Sequence, residues 1–336
     1  MNEDPASTQR RPGRVQAPQG AVLIAASLPA PLHSALAARY PIVDLADAAL
    51  AERVRELDAA TRGEVRAIVS IGSVAIAAAV IDALPALGLV CCMGSGYEGV
   101  DVAAARARGV AIAHSAGANA AAVAEVAMGL LIATVRGFGV EADRLARGEW
   151  RGNAHSRRPP RPGLRGLRLG IYGLGAIGME IARRAQAFDM AIGYHNRRAR
   201  TDVAFRHFAS LAALAEWCDA LMISVRASPA TRHAVDASIL AALGVDGHVV
   251  NIARGSVIDE AALVDALQRG VIAGAGLDVF EHEPDVPAAL VADPRVVALP
   301  HIGGASREAQ AAMQAMTLAN LDAFFRGQAL PSAVPA

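Results

Sequence analysis

The segment Arg168 to Arg184, RLGIYGLGAIGMEIARR, restricts the fold of this chain more than any other stretch. It places Gly173, Gly175 and Gly178 directly after an apolar strand and at the opening of a helical pattern. The first glycine permits a tight turn, the second lets backbone approach a pyrophosphate, and the third allows close helix packing. The helix behind them turns free N–H groups towards an anion. Gly173, Leu174, Gly175, Ala176, Ile177 and Gly178 are therefore expected to hold a dinucleotide.

A loop of this kind needs a parallel sheet around it, and the rest of the chain supplies the pattern. From Ala21 onward, short runs rich in Val and Ile alternate with segments of helical period, which marks the α/β class. Strands are expected at Ala21 to Ala26, Val65 to Ile71, Gly88 to Cys92 and Val110 to Ala113, with a helix over Ala49 to Ala59. Asn119 to Arg147 reads as one long or interrupted helix. The Gly, Pro and Arg-rich stretch Gly148 to Gly166 reads as a linker or surface loop. Strands then recur at Met190 to Tyr194, Ala220 to Val225, His248 to Ile252, Ile272 to Leu277 and Val296 to Leu299, before a closing helix from Ser306 to Phe325. A length of 336 residues suits two such units. Residues 1–20 read as a loose tail.

The strand after the glycine loop ends where an acid would bind an adenosine ribose. Here that end reads His195, Asn196, Arg197, Arg198. Without a carboxylate to repel a 2′-phosphate, and with guanidinium groups to pair with it, Asn196, Arg197 and Arg198 favour NADP(H), with NAD(H) as the other possibility.

Composition removes other classes. Lys+Arg and Asp+Glu both number 32, so no net field holds a nucleic acid. The chain contains no lysine, which excludes Schiff-base and P-loop chemistry. Three cysteines, Cys91, Cys92 and Cys218, form neither a disulfide framework nor a metal-ligand spacing, so no metal is expected and a reducing, cytoplasmic setting is. No stretch offers about 20 consecutive apolar residues for a membrane, and the N-terminus fits neither a secretory signal nor a transit peptide.

Three further islands follow predicted strands: Val250 to Asp259, Ala273 to Pro284 and Leu299 to Ala305. Strand C-termini converge on the ligand crevice of an open α/β sheet, so Arg254, Glu283 and His301 are expected to meet at a nicotinamide. An arginine pairs bidentately with a substrate carboxylate, a histidine gives or takes a carbonyl proton, and a carboxylate orients that histidine. His301 is preferred to His282 because Pro300, Gly303 and Gly304 define a turn around it. His114 and His195 have no such company in the sequence.

In combination these islands closely resemble the D-isomer-specific 2-hydroxyacid dehydrogenases, over roughly Ala21 to Gly327, and within them the NADPH-linked glyoxylate/hydroxypyruvate reductase-like branch. The resemblance implies a catalytic triad of Arg254, Glu283 and His301. It implies that the loop Met93, Gly94, Ser95, Gly96, Tyr97 holds the substrate carboxylate through backbone N–H groups. It also places Asp278, Val225, Ile252 and His301 near the cofactor. Two Rossmann-like doubly wound parallel-sheet domains follow from it, with a substrate domain of 21–115 plus 300–336 wrapped around an inserted nucleotide domain of 116–299. A homodimer formed through the Asn119 to Arg147 region and a small 2-oxoacid substrate follow as well. Arg226 departs from the small or Pro/Gly-rich segment that relatives often carry there. The alternatives are a dinucleotide-sensing corepressor-like protein and an NAD-linked phosphoglycerate dehydrogenase.

Overall fold

The computed structural model describes residues 20–46, 49–150, 152 and 160–335. Apart from Gly20, the expected tail lies outside the described residues, as does much of the expected linker. Two sheets, each parallel throughout, organise what is described. The first contains β1 (Ala21–Ile24), β2 (Ile42–Asp44), β3 (Val65–Ile71), β4 (Leu89–Met93) and β5 (Ala111–His114), in the order β2-β1-β3-β4-β5. The second contains β6 (Arg168–Tyr172), β7 (Ala191–His195), β8 (Arg206–His207), β9 (Ala220–Ile223), β10 (His248–Asn251), β11 (Gly274–Leu277) and β12 (Val296–Ala298), in the order β12-β11-β10-β9-β6-β7-β8.

The central strands are apolar because helices cover both of their faces. All five residues of β4 (LVCCM) and all four of β9 (ALMI) are buried. In the second sheet the strand order reverses between β6 and β9, which are hydrogen-bonded neighbours. The loops after these two strands therefore diverge and leave a crevice at the C-terminal edge.

Two helices cross over. Helix Ala120–Val135 follows the first sheet, yet Val123, Ala127, Leu130 and Leu131 pack in the core of the second, with Leu169, Ile181 and Ile252. Helix Arg307–Phe325 follows the second sheet, and its Met313 and Leu321 return to the first, against Cys91 and Met93. Ser306 caps that helix by accepting from the Ala309 N–H at 3.0 Å. Burying one leucine of these interfaces contributes about 1.5–3 kcal/mol. The polypeptide thus passes between the sheets twice, at residues 115–119 and 299–306.

Several expectations are corrected. The helix expected over Ala49 to Ala59 runs only from Leu50 to Glu56, and a second one, Ala59–Glu64, starts afresh where Asp58 accepts from the Thr61 N–H at 2.8 Å. Of the two forms expected for Asn119 to Arg147, the interrupted one is found, its halves Ala120–Val135 and Phe138–Ala146 bent by 62° at Gly137, whose φ of 64° an L side chain rarely adopts. The strand expected from Ile272 begins at Gly274. Among the described residues, no single helix is long and apolar enough to cross a membrane.

Candidate active site

The glycine loop lies in the crevice between β6 and β9. Gly173 has φ 101°, and a Cβ there would come 2.5 Å from the Val225 nitrogen, so only glycine fits. The Ser224 hydroxyl donates to the Gly173 carbonyl at 2.7 Å and ties the two strand ends together. A Cβ on Gly178 would collide with that same carbonyl. Helix Ala176–Gln186 starts from Gly175 with no side chain capping it, and a Cβ on Gly175 would meet nothing within 4 Å. Free N–H groups at a helix start, with open space before them, fit a diphosphate. Ala176 is exposed and Ile177 half-buried beside this space, while Ile252 is buried beneath the sheet edge.

At the end of β7, Asn196 Oδ1 accepts from the Leu174 N–H at 2.7 Å, which fixes the corner beside the loop. Arg200 is spent there, donating to the Leu174 carbonyl at 3.0 Å and pairing with Asp202. Arg197 and Arg198 are exposed, and among the described residues neither forms an ion pair.

Glu283 and His301 meet. His301 Nδ1 lies 2.8 Å from Glu283 Oε2, and the other carboxylate oxygen accepts from the Phe280 N–H at 3.0 Å. The ring is therefore held by a carboxylate that is itself anchored, and Nε2 makes no hydrogen bond with the described residues. His301 adopts φ 53°, a left-handed conformation that needs support. Asp278 supplies it. Its carbonyl accepts from the His301 N–H at 2.8 Å, and its carboxylate accepts from Ile302 and Gly303, each at 2.8 Å. Only 1 % of Asp278 is exposed, so burial pushes its carboxyl up, against the opposing pull of the two amides and of His301.

Arg254 forms no hydrogen bond or ion pair with either of them. It follows β10 in a turn braced by Asn251, which donates to the Arg254 carbonyl at 2.9 Å. Its guanidinium donates to the Ala253 carbonyl at 2.7 Å and pairs across the cleft with Glu98. The partner it finds is a carboxylate of the first sheet, Glu98, through a charge-assisted contact from Nε.

Glu98 ends the loop expected to bind a carboxylate. Met93 closes β4 and is 8 % exposed. Gly94, at φ 108°, accepts from the Ser115 N–H at 2.7 Å. The Ser95 carbonyl bonds His114 Nδ1 at 2.9 Å, and His114 meets the Tyr97 ring edge-on at 5.2 Å. A carbonyl only accepts, so Nδ1 carries the proton, and burial lowers the His114 pKa and keeps the ring neutral. Gly96 lies so near the Arg254 guanidinium that a Cβ would collide with it. His114, without company in the sequence, is thus corrected to a support of this loop. Glu98 was missed as well, and its position directly after the glycine-containing loop was the one available signal.

Known proteins match this chain along most of its length. The family model for the NAD-binding domain of the D-isomer-specific 2-hydroxyacid dehydrogenases matches residues 128–303. A glyoxylate/hydroxypyruvate reductase of Arabidopsis thaliana is 36% identical over 270 residues, covering 80% of this chain and 85% of its own. A glyoxylate reductase of Thermococcus onnurineus is 37% identical over 292 residues, 85% of each chain. The crystal structure of an NADPH-dependent glyoxylate/hydroxypyruvate reductase from Sinorhizobium meliloti, in complex with NADP and malonate, superposes with a TM-score of 0.84 at 37% identity, covering 94% of this chain and 97% of that one. With the glycine loop at the strand reversal and the histidine anchored by a carboxylate, the chain belongs to the D-isomer-specific 2-hydroxyacid dehydrogenase family and is an NAD(P)-dependent oxidoreductase.

Proposed function

We propose that this protein reduces a small 2-oxoacid of the glyoxylate or hydroxypyruvate type to the D-2-hydroxyacid with NADPH. The observation that carries the reading is the His301 to Glu283 bond of 2.8 Å, made from a backbone conformation that Asp278 enforces. Bound NADPH supplies a hydride; the remaining tasks fall to the chain. Arg254 exchanges Glu98 for the substrate carboxylate, and the N–H groups of Gly94, Ser95 and Gly96 share that anion. Both nitrogens of protonated His301 donate, Nδ1 to Glu283 and Nε2 to the substrate carbonyl oxygen, which takes the proton as it becomes an alcohol. The glycine loop and its helix receive the diphosphate, while Arg197 and Arg198 pair with the 2′-phosphate.

The same reading assigns 21–115 with 300–336 to a substrate body and 116–299 to a nucleotide body, whose closure excludes water from the reacting carbonyl. It assigns a homodimer too, since Phe138, Leu145 and Trp150 leave apolar surface exposed on and after helix Phe138–Ala146. A cytoplasmic location suits three buried free thiols, two of which, Cys92 and Cys218, burial pushes up to about 12.

NADPH absorbance followed with glyoxylate, hydroxypyruvate and pyruvate tests the proposal. Turnover with at least one is expected, and Arg254→Ala should lower kcat/KM by about 10²–10³-fold while NADPH still binds. Absence of oxidation with all three would refute it.

A further inference from the structure

The cleft holds a second guanidinium. Arg226 follows β9, beyond Ser224 and Val225, and its Cζ lies 4.2 Å from the centroid of the Tyr97 ring. Tyr97 adjoins Gly96, the residue against which Arg254 rests. The two arginines thus reach from the second sheet to neighbouring positions of one loop of the first, positions about 3.8 Å apart along the backbone. Their circumstances differ. Arg254 is neutralised by Glu98, whereas no carboxylate among the described residues pairs with Arg226. The group facing it from the loop side is His114, a neutral ring that meets Tyr97 edge-on. Arg226 is exposed, and stacking on Tyr97 holds its cation over the loop.

We propose that Arg226 is a specificity residue that recognises a second anionic group on the substrate, so that the pocket prefers 2-oxoacids with a carboxylate at the far end. The inference rests on the proposed reduction of 2-oxoacids. Arg254 takes the carboxylate next to the reacting carbonyl, and Arg226, which no carboxylate among the described residues pairs, takes the distal one. Tyr97 holds the guanidinium over the loop, where its N–H groups can donate to an incoming carboxylate.

Steady-state kinetics with oxaloacetate and 2-oxoglutarate against pyruvate and 2-oxobutyrate test this, in the wild type, Arg226→Ala and Arg226→Glu. Arg226→Ala is expected to lower kcat/KM for the dicarboxylic substrates by about 10-fold or more, mainly through KM, the loss of one charge-assisted contact. The monocarboxylic substrates should fall by much less, and Arg226→Glu should widen the gap. Equal losses across all four substrates would overturn the proposal. So would weaker NADPH binding in a fluorescence titration that accounts for the loss, since the partner would then be a cofactor phosphate. A wild type that reduces only monocarboxylic substrates overturns the inference alone, whereas no reduction of any substrate removes the reductase reading with it.

Discussion

The two sheets meet at one cleft with different equipment. The first offers mostly backbone: β4 ends in Met93, Gly94, Ser95 and Gly96, glycine-rich and braced from behind by His114. The second offers side chains: Arg254, Glu283, His301 and Arg226 all stand at or beyond the ends of its strands. Both sheets follow the same parallel rule, so topology alone does not explain the division. What differs is the anchoring available. Asn251 and Asp278 fill the ends of β10 and β11 and bond the turns that carry Arg254 and His301. A side chain can act on a proton or an anion only when its backbone is held, and the second sheet holds it. In the first sheet the post, His114, holds a backbone carbonyl, because there the amide groups themselves face the cleft.

Three measurements sharpen that contrast. The largest effect is expected on the side-chain half: His301→Ala should lower kcat by about 10²–10⁴-fold. An unchanged kcat would detach the proton donor from this histidine. A smaller effect is expected on the backbone half. Gly96→Ala brings a methyl against the Arg254 guanidinium and should cost about 10–100-fold in kcat/KM, mostly through KM. A loss confined to kcat would contradict an anion cradle. The smallest effect compares two buried histidines, His114 in the first sheet and His248 in the second, whose pKa values burial lowers. Unfolding exposes both rings, so the unfolded chain binds more protons below about pH 6.5. Their contribution to stability is therefore complete above that pH and is lost as pH falls from it through the folded pKa values. The Tm should drop by a few degrees between about pH 6.5 and 5. Gln at either position should flatten this slope, and only the change at His114 should also weaken substrate binding. Equal effects on binding from both would break the distinction.

Local chemistry was legible in the sequence where a short segment carries its whole meaning. The glycine loop, Asn196 and the turn around His301 all lie within a few residues of the features that identify them. The short edge strands β2 and β8 were not legible, since Ile42–Asp44 and Arg206–His207 are too short to display a period. Nor was the pairing of Arg254 with Glu98, because the partner lies far back in the chain on the other sheet. Asp278 was noticed, but its bracing of Ile302 and Gly303 depends on a turn whose backbone angles no residue type announces. The break at Gly137 was visible as a glycine, though not as a bend of 62°.

One of the two passages between the sheets, residues 299–306, contains His301 itself. The imidazole is mounted on the segment that joins the two sheets, so in the closure proposed above a swing of one against the other would twist the very peptide that sets its aim. On that proposal proton delivery and pivoting would share a single mechanical part, and the Asp278 carboxylate, bonded to the Ile302 and Gly303 amides, would be the pin that keeps it from turning freely.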